Sequence, residues 1–193
     1  MKISEFYNKV APVYENLINS PKINAKLTGE AKKVFLKYKI VEGSILDVGC
    51  GPGNLKTAFG DKFLYTGVDI SESMLLKAKE KGYVTIYGRI EDVLKEIPDK
   101  SFDYVISLSA LHFVKDINSV LKEFDRISKK GWLVSLLDVT ENYTKDFLVD
   151  EPIYNHSKIV LPDTSEDFLF DAWISPAQEQ MRERMIFKKS VII

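Results

Sequence analysis

The sequence predicts an α/β fold in which parallel strands are joined by right-handed helical crossovers, on three observations. Short β-rich runs alternate with helical stretches from residue 45 onward. A turn with three glycines follows the first of these runs. Acids stand at the ends of the first two runs, Asp47 and Asp69, at the carboxyl edge where open α/β sheets bind their ligands. A length of 193 residues suits one domain, and 45% hydrophobic with 28% charged residues supplies both a core and a solvated surface. Disorder and fibrous repeats are excluded.

The chain should open with an amphipathic helix. Phe6, Val10, Val13, Tyr14, Leu17 and Ile18 recur at three- and four-residue steps after Ser4, a residue type that caps helix N-termini. A second helix opens at Pro21, tolerated at a first helical position, and continues through Ile23, Leu27, Ala31, Val34, Phe35 and Tyr38. Strands follow at 45–48, 63–68, 84–87, 102–107 and 132–138, and helices at 72–81, 90–96 and 117–128, with a polar helix start at Asn54. Near the C-terminus, 167–174 and 184–193 read as strands, with 175–183 either a turn or a short helix between them.

Charge and cysteine content narrow the function classes. Lys plus Arg is 27 and Asp plus Glu is 28, so no global field draws the chain to nucleic acid or anionic membrane. Residues 1–39 carry eight lysines against Glu5, Glu15 and Glu30, which reads either as solvated helix faces or as a basic arm for a polyanion. Only Arg89, Arg126, Arg182 and Arg184 offer the planar fork preferred for phosphate, which argues against nucleic acid. Cys50 is the single cysteine, no secretory leader pattern stands at Met1, and no apolar run approaches membrane-spanning length. A reducing, cytoplasmic location and no membrane partner are the expectation.

The chemistry concentrates in ILDVGCGPG, residues 45–53. Gly49, Gly51 and Gly53 let the backbone turn sharply and approach a ligand that side chains would exclude. Asp47 at the strand end can hold an ammonium group, directly or through water. Asp69 lies 22 positions later at the tip of the next strand, the place of an acceptor for two ribose hydroxyls. Together the two sites indicate adenosine. A dinucleotide site needs G-x-G-x-x-G. Here the third glycine comes one position early, and Pro52 removes a backbone donor from the would-be phosphate cradle. No P-loop pattern occurs either. A cofactor without phosphate fits better.

These segments resemble the class I S-adenosylmethionine-dependent methyltransferases, in particular the small-molecule, type 11-like group. The likeness runs from FYNKVAPVYENL through ILDVGCGPGNL, VDISESML, GRIED and FDYVISLSALHFVKD to RISKKGWLVSLLDV, ending near residue 139. It implies a three-layer, Rossmann-like doubly wound sheet of seven strands in the order 3-2-1-4-5-7-6, strand 7 antiparallel. The expected organisation is one methyltransferase domain over 1–193, with a helical lid (1–40) over a cofactor-binding α/β core (41–193). The cofactor implied is S-adenosylmethionine, with S-adenosylhomocysteine as product.

Residue by residue, the resemblance places Asp47, Gly49, Gly51 and Gly53 around the methionine half and Asp69 on the ribose. Ile70 and Met74 flank the adenine, Ile90 and Glu91 lie at its edge, and Ser107 lines the cofactor near the sulfonium. Arg89 departs from the pattern. The family commonly has an acid there to accept from the adenine amino group, whereas arginine only donates, so Glu91 or a backbone carbonyl must take over or adenine recognition is weakened.

Methyl transfer from a sulfonium needs alignment and exclusion of water and no metal. His112 matches the first histidine of a frequent LHH stretch of the family. It reads either as a residue that holds the acceptor or takes its proton, or as a structural histidine bonded to its loop. His156 reads as surface. Tyr7 and Tyr14 lie two helical turns apart, on one face. In the family this segment closes over the cofactor, and Tyr14 matches its best-kept aromatic, so His112 and Tyr14 are the catalytic candidates; the alternative for both tyrosines, and the stronger reading for Tyr7, is a core aromatic of an amphipathic helix. Phe170 and Trp173 read as acceptor-pocket lining or as plain core, and Cys50 as filler. The stretch ISLSALHF lacks the N/D-P-P-Y/F pattern by which amino-methylating nucleic-acid enzymes hold a flipped base. A small-molecule acceptor is the first expectation. A cofactor-binding partner subunit without chemistry, and an RNA methyltransferase using the lysine-rich arm, stay open as alternatives.

Overall fold

The computed structural model describes residues 1–16, 20–138, 149–154, 156, 159, 165–175 and 178–190. Seven strands form one sheet: β1 (Gly43–Val48), β2 (Phe63–Asp69), β3 (Val84–Tyr87), β4 (Phe102–Ser107), β5 (Ser128–Asp138), β6 (Ser165–Ser175) and β7 (Gln178–Lys189). Their order is β3-β2-β1-β4-β5-β7-β6, and β7 runs antiparallel to both its neighbours. This is the doubly wound order expected.

The helices are α1 (Ile3–Val10), α2 (Ser20–Lys37), α3 (Asn54–Phe59), α4 (Glu72–Glu80), α5 (Ile90–Glu96) and α6 (Ile117–Ile127), with 3-10 turns at Ala11–Asn16 and Leu111–Phe113. Two apolar layers hold them to the sheet, because a central parallel strand is covered on both faces. Ile45 of β1 packs with Val34 and Phe35 of α2 on one side. Leu46 and Val48 pack with Leu121 and Phe124 of α6 on the other. α6 shows the logic most plainly. Ile117, Val120, Leu121, Phe124 and Ile127 are buried at helical spacing, and the Asp116 carboxylate caps the helix by accepting from Ser119 N at 3.0 Å.

Three local expectations are corrected. The first helix does not run on to residue 18: it ends at Val10 and tightens into the 3-10 turn that contains Pro12, which cannot supply an α-helical N–H. Leu17 and Ile18 lie outside the described residues. Ser4 is not the cap; Lys2 is, with the Glu5 carboxylate reaching back to accept from its N–H at 3.1 Å. At the C-terminus, most of 175–183 is neither turn nor helix. β7 already begins at Gln178, where it pairs with Ser175 of β6, and from Arg182, opposite Asp138, it pairs with β5 as well, so backbone ladders hold the polar segment. Residues 191–193, expected to end the last strand, lie outside the described residues.

Candidate active site

A cavity of about 440 Å³ opens over the carboxyl ends of β1 to β4. β1 has β2 on one side and β4 on the other, so this is the topological switch point, where open α/β sheets form a crevice. The roof comes from α1, the 3-10 turn after it and α2, which contribute Phe6, Tyr7, Tyr14, Asn24 and Thr28 among others.

β1 delivers Asp47 to the cavity wall. The side chain is 4% exposed, and its Oδ2 accepts from the Tyr83 hydroxyl at 2.9 Å. Burial pushes its carboxyl up to about 7 against the opposing pull of that hydrogen bond, and the nearby Asp69 adds to the rise. The chain then turns at Gly49, where φ is +72° and a Cβ would come within 2.3 Å of Ala110 Cβ. Gly51, at φ +51°, has no atom beyond its own chain neighbours within 4 Å of where its Cβ would be, and it borders the cavity. Gly53 is not on that wall. A Cβ there would meet the Tyr83 ring at 2.9 Å. Cys50 fills space beneath the turn, and burial raises its thiol well above the ordinary value, away from nucleophilic chemistry.

At the end of β2, Asp69 Oδ2 accepts from Gly51 N at 2.8 Å and Oδ1 from Ser71 N at 2.9 Å, so it ties the glycine turn to its own strand while lining the cavity. Burial raises this carboxyl too, against those backbone donors. Ile70 and Met74 line the cavity beside it, as do Ile90 and Glu91 after β3. Arg89 borders the same end and turns to the acids around it, 3.2 Å from Glu151 and 4.0 Å from Glu91.

From β4 the structure departs from expectation at Ser107. The residue is fully buried and its hydroxyl donates to Val48 O at 2.8 Å, locking β4 to β1 behind the cavity. Leu108, Ser109 and Ala110 form the wall in its place. His112 stands on the wall with its ring 4.1 Å from that of Phe113. Burial, with a contribution from His156, lowers its imidazole to about 4, so the ring is neutral near pH 7. His156 is not a surface residue. It is half-buried, with Nε2 2.9 Å from Val114 O, while Tyr154 N donates to His112 O at 2.8 Å. The chain beyond β5 therefore returns to brace the His112 loop.

Tyr14 reaches the cavity from the roof. Burial raises its phenol, against a hydrogen bond with Asn24. Tyr7 packs edge-on between Tyr14 (6.4 Å) and Phe113 (6.5 Å), joining the roof to the His112 loop. β6 carries Phe170 and Trp173 in its backbone, but their side chains lie outside the described ones. Of the residues expected at the site, ten meet at this cavity: Tyr14, Asp47, Gly49, Gly51, Asp69, Ile70, Met74, Ile90, Glu91 and His112. Gly53 and Ser107 stand behind its wall. Sequence reasoning missed Asn8, Asn24 and Tyr83, whose partners are distant in sequence or carry no motif.

Residues 46–135 match the family model described as a methyltransferase domain. Demethylmenaquinone methyltransferase of Listeria welshimeri is 29% identical over 154 residues, covering 72% of this chain and 63% of that protein. Its counterpart in Staphylococcus epidermidis is 32% identical over 149 residues, covering 69% and 61%. The chain thus spans about three-fifths of the length of these relatives. The crystal structure of magnesium protoporphyrin IX methyltransferase from Synechocystis PCC 6803 with bound S-adenosylmethionine has a TM-score of 0.68, covering 96% of this chain and 95% of that one at 13% identity, a likeness of fold. Through residues 46–135 the chain belongs to the methyltransferase-domain family, and its sheet has the fold of that S-adenosylmethionine-bound enzyme.

Proposed function

We propose that the protein is an S-adenosylmethionine-dependent methyltransferase that transfers a methyl group to a small-molecule acceptor by in-line displacement. One observation carries the reading: two carboxylates, the buried Asp47 and the half-buried Asp69, stand at the ends of neighbouring strands on the wall of a single roofed cavity. The residues fit the cofactor. Asp47 is an anionic seat for an ammonium group, Asp69 an acceptor for ribose hydroxyls, and the space beside Gly51 admits a ligand close to the backbone. Ile70, Met74 and Ile90 supply apolar contact for a base, and Glu91 can accept from its amino group in place of the acid the family commonly has at the position of Arg89.

When bound, such a cofactor supplies an electrophilic methyl carbon on an already activated leaving group. The chain's own residues then align the acceptor and keep water out. Residues 1–40 act as the lid and 41–193 as the core. Tyr7, Tyr14 and Phe113 close the acceptor side. His112, neutral near pH 7, offers the acceptor a hydrogen-bonding nitrogen and is a weak base, so positioning outweighs proton removal in its role. The acceptor is a small molecule, as in the demethylmenaquinone and magnesium protoporphyrin enzymes the chain resembles. The RNA alternative is disfavoured by the α2 lysines, since Lys32 donates to Ala58 O and Lys33 and Lys37 pair with Glu30 and Glu166.

Calorimetric titration with S-adenosylmethionine, S-adenosylhomocysteine and NAD tests the reading. Binding of the first two, none of NAD, and loss in Asp69→Asn are expected, followed by labelled methyl transfer in an acceptor screen. Binding of NAD alone refutes the reading. Binding of the sulfur ligands without turnover on any acceptor favours the partner-subunit alternative.

A further inference from the structure

Beneath the cavity floor, the Tyr83 ring occupies a slot that two glycines keep open. A Cβ at Gly53 would lie 2.9 Å from one ring edge, and one at Gly67 would lie 2.9 Å from the other. The ring also stacks on Tyr65, with centroids 5.0 Å apart and planes inclined by 25°. So seated, the hydroxyl faces two ways. It accepts from Lys56 N, in the first turn of α3, at 3.3 Å, and donates to Asp47 Oδ2 at 2.9 Å. α3 begins after Gly53, which has no side chain to cap it, so the phenol caps the helix from a distant part of the chain. A donor so polarised by a helix N-terminus is a stronger one toward a carboxylate. The third glycine of the motif thus serves the tyrosine and not the ligand.

We propose that Tyr83 is a positioning residue for the amino-acid half of the bound cofactor: it holds the buried Asp47 carboxylate by Oδ2, so that its remaining lone pairs face the cavity in one orientation toward the ligand's ammonium group. The inference rests on the S-adenosylmethionine reading of the site. Other groups that act electrostatically with Asp47 are Asp69 on β2, Cys50 in the turn and Tyr65 on β2. None of these makes the hydrogen bond that Tyr83 makes.

The test uses two ligands that share adenosine but not the amino acid. The full chain is titrated with S-adenosylmethionine and with 5′-methylthioadenosine, as wild type, Tyr83→Phe, Asp47→Asn and the double variant, across neutral pH. In wild type, S-adenosylmethionine binding strengthens as pH rises through about 7, where Asp47 ionises, while 5′-methylthioadenosine binding stays flat. Tyr83→Phe is expected to weaken S-adenosylmethionine about tenfold and leave 5′-methylthioadenosine within about twofold. It should also move the pH midpoint upward, and it should add nothing in the Asp47→Asn background. Equal losses for both ligands, an unmoved affinity and midpoint, or an additive loss in the double variant each overturn the inference. If Tyr83→Phe does not fold, Gly53→Ala provides the comparison, because its Cβ displaces the ring and its hydroxyl; the same ligand selectivity is expected and its absence overturns the inference. Failure of the wild type to bind either ligand instead refutes the function proposed for the site.

Discussion

Asp47 and His112 carry opposite displacements, and each makes a pH prediction. Asp47 titrates higher in the folded chain than in the unfolded one, so its contribution to ligand-free stability is full below about pH 4 and is lost as pH rises through about 7. Melting temperatures of wild type and Asp47→Asn, compared without ligand, should therefore diverge as pH rises through that window, with the asparagine variant gaining. A constant difference across pH would count against a proton on Asp47. His112 is displaced downward, so its contribution is full above about pH 6.5 and is lost as pH falls through about 4. Its titration cannot then produce a kinetic limb near neutrality. A limb near pH 7 should follow cofactor binding and vanish in Asp47→Asn, whereas persistence there would place it elsewhere. His112→Ala and Tyr14→Phe should each lower turnover by about a hundredfold or less while cofactor affinity changes little, as befits positioning groups. Loss of both together would mean a damaged fold.

The elements differ in how much they depend on distant partners. α6 was legible because its apolar period and length agree within eleven residues. The β6–β7 hairpin was only half legible, since residues 178–183 alternate no apolar face and are strand because β6 pairs with them, joined by β5 from Arg182 onward. α6, β5 and β7 are also tied by one carboxylate. Asp125 accepts from Trp132 Nε1 at 2.8 Å and from Lys188 Nζ at 2.7 Å, with the indole fully buried. Asp125→Ala leaves that indole N–H unpaired and should lower stability by about 2 kcal/mol. The melting point should fall by about 6 °C for a chain of this size, with ligand affinity unchanged. An unshifted melting point would show that water replaces the carboxylate.

At the scale of the whole molecule, polar contacts tie the roof to the core. Asn8 Oδ1 of α1 accepts from Ser71 Oγ at 2.8 Å and Ser73 N at 3.1 Å, at the start of α4, and Glu15 pairs with Lys81 at 2.7 Å. Glu151, which faces Arg89, accepts from Ile3 N at 3.0 Å. Because Ser71 N also donates to Asp69, the roof is anchored two residues from the carboxylate proposed for the ribose. Asn8→Ala should therefore speed cofactor release about fivefold or more, read by stopped-flow competition, with little change in melting temperature. Added S-adenosylmethionine should slow hydrogen exchange along α1. Unchanged release and exchange would mean that the roof does not move with the ligand. The site was legible where chemistry is local. Asp47, the glycines and Asp69 lie within 23 consecutive positions, each at a strand end. Asn8, Tyr83 and His156 were not legible, because their roles come from contacts 36 to 65 positions away.

Alternating strands and helices, glycines that permit a tight turn, and acids at strand tips are short-range patterns, so the sequence alone determined the parallel α/β pattern, its ligand edge and the adenosine chemistry proposed there. Only the tertiary structure decided which of those residues face the cavity. It set Gly53 against Tyr83 and Ser107 against Val48, behind the wall. It also brought His156 back to brace the loop of His112. The reason is physical: a motif records what the backbone can do at a position, while the side of a wall on which a side chain falls depends on packing among segments that the chain brings together only when it folds.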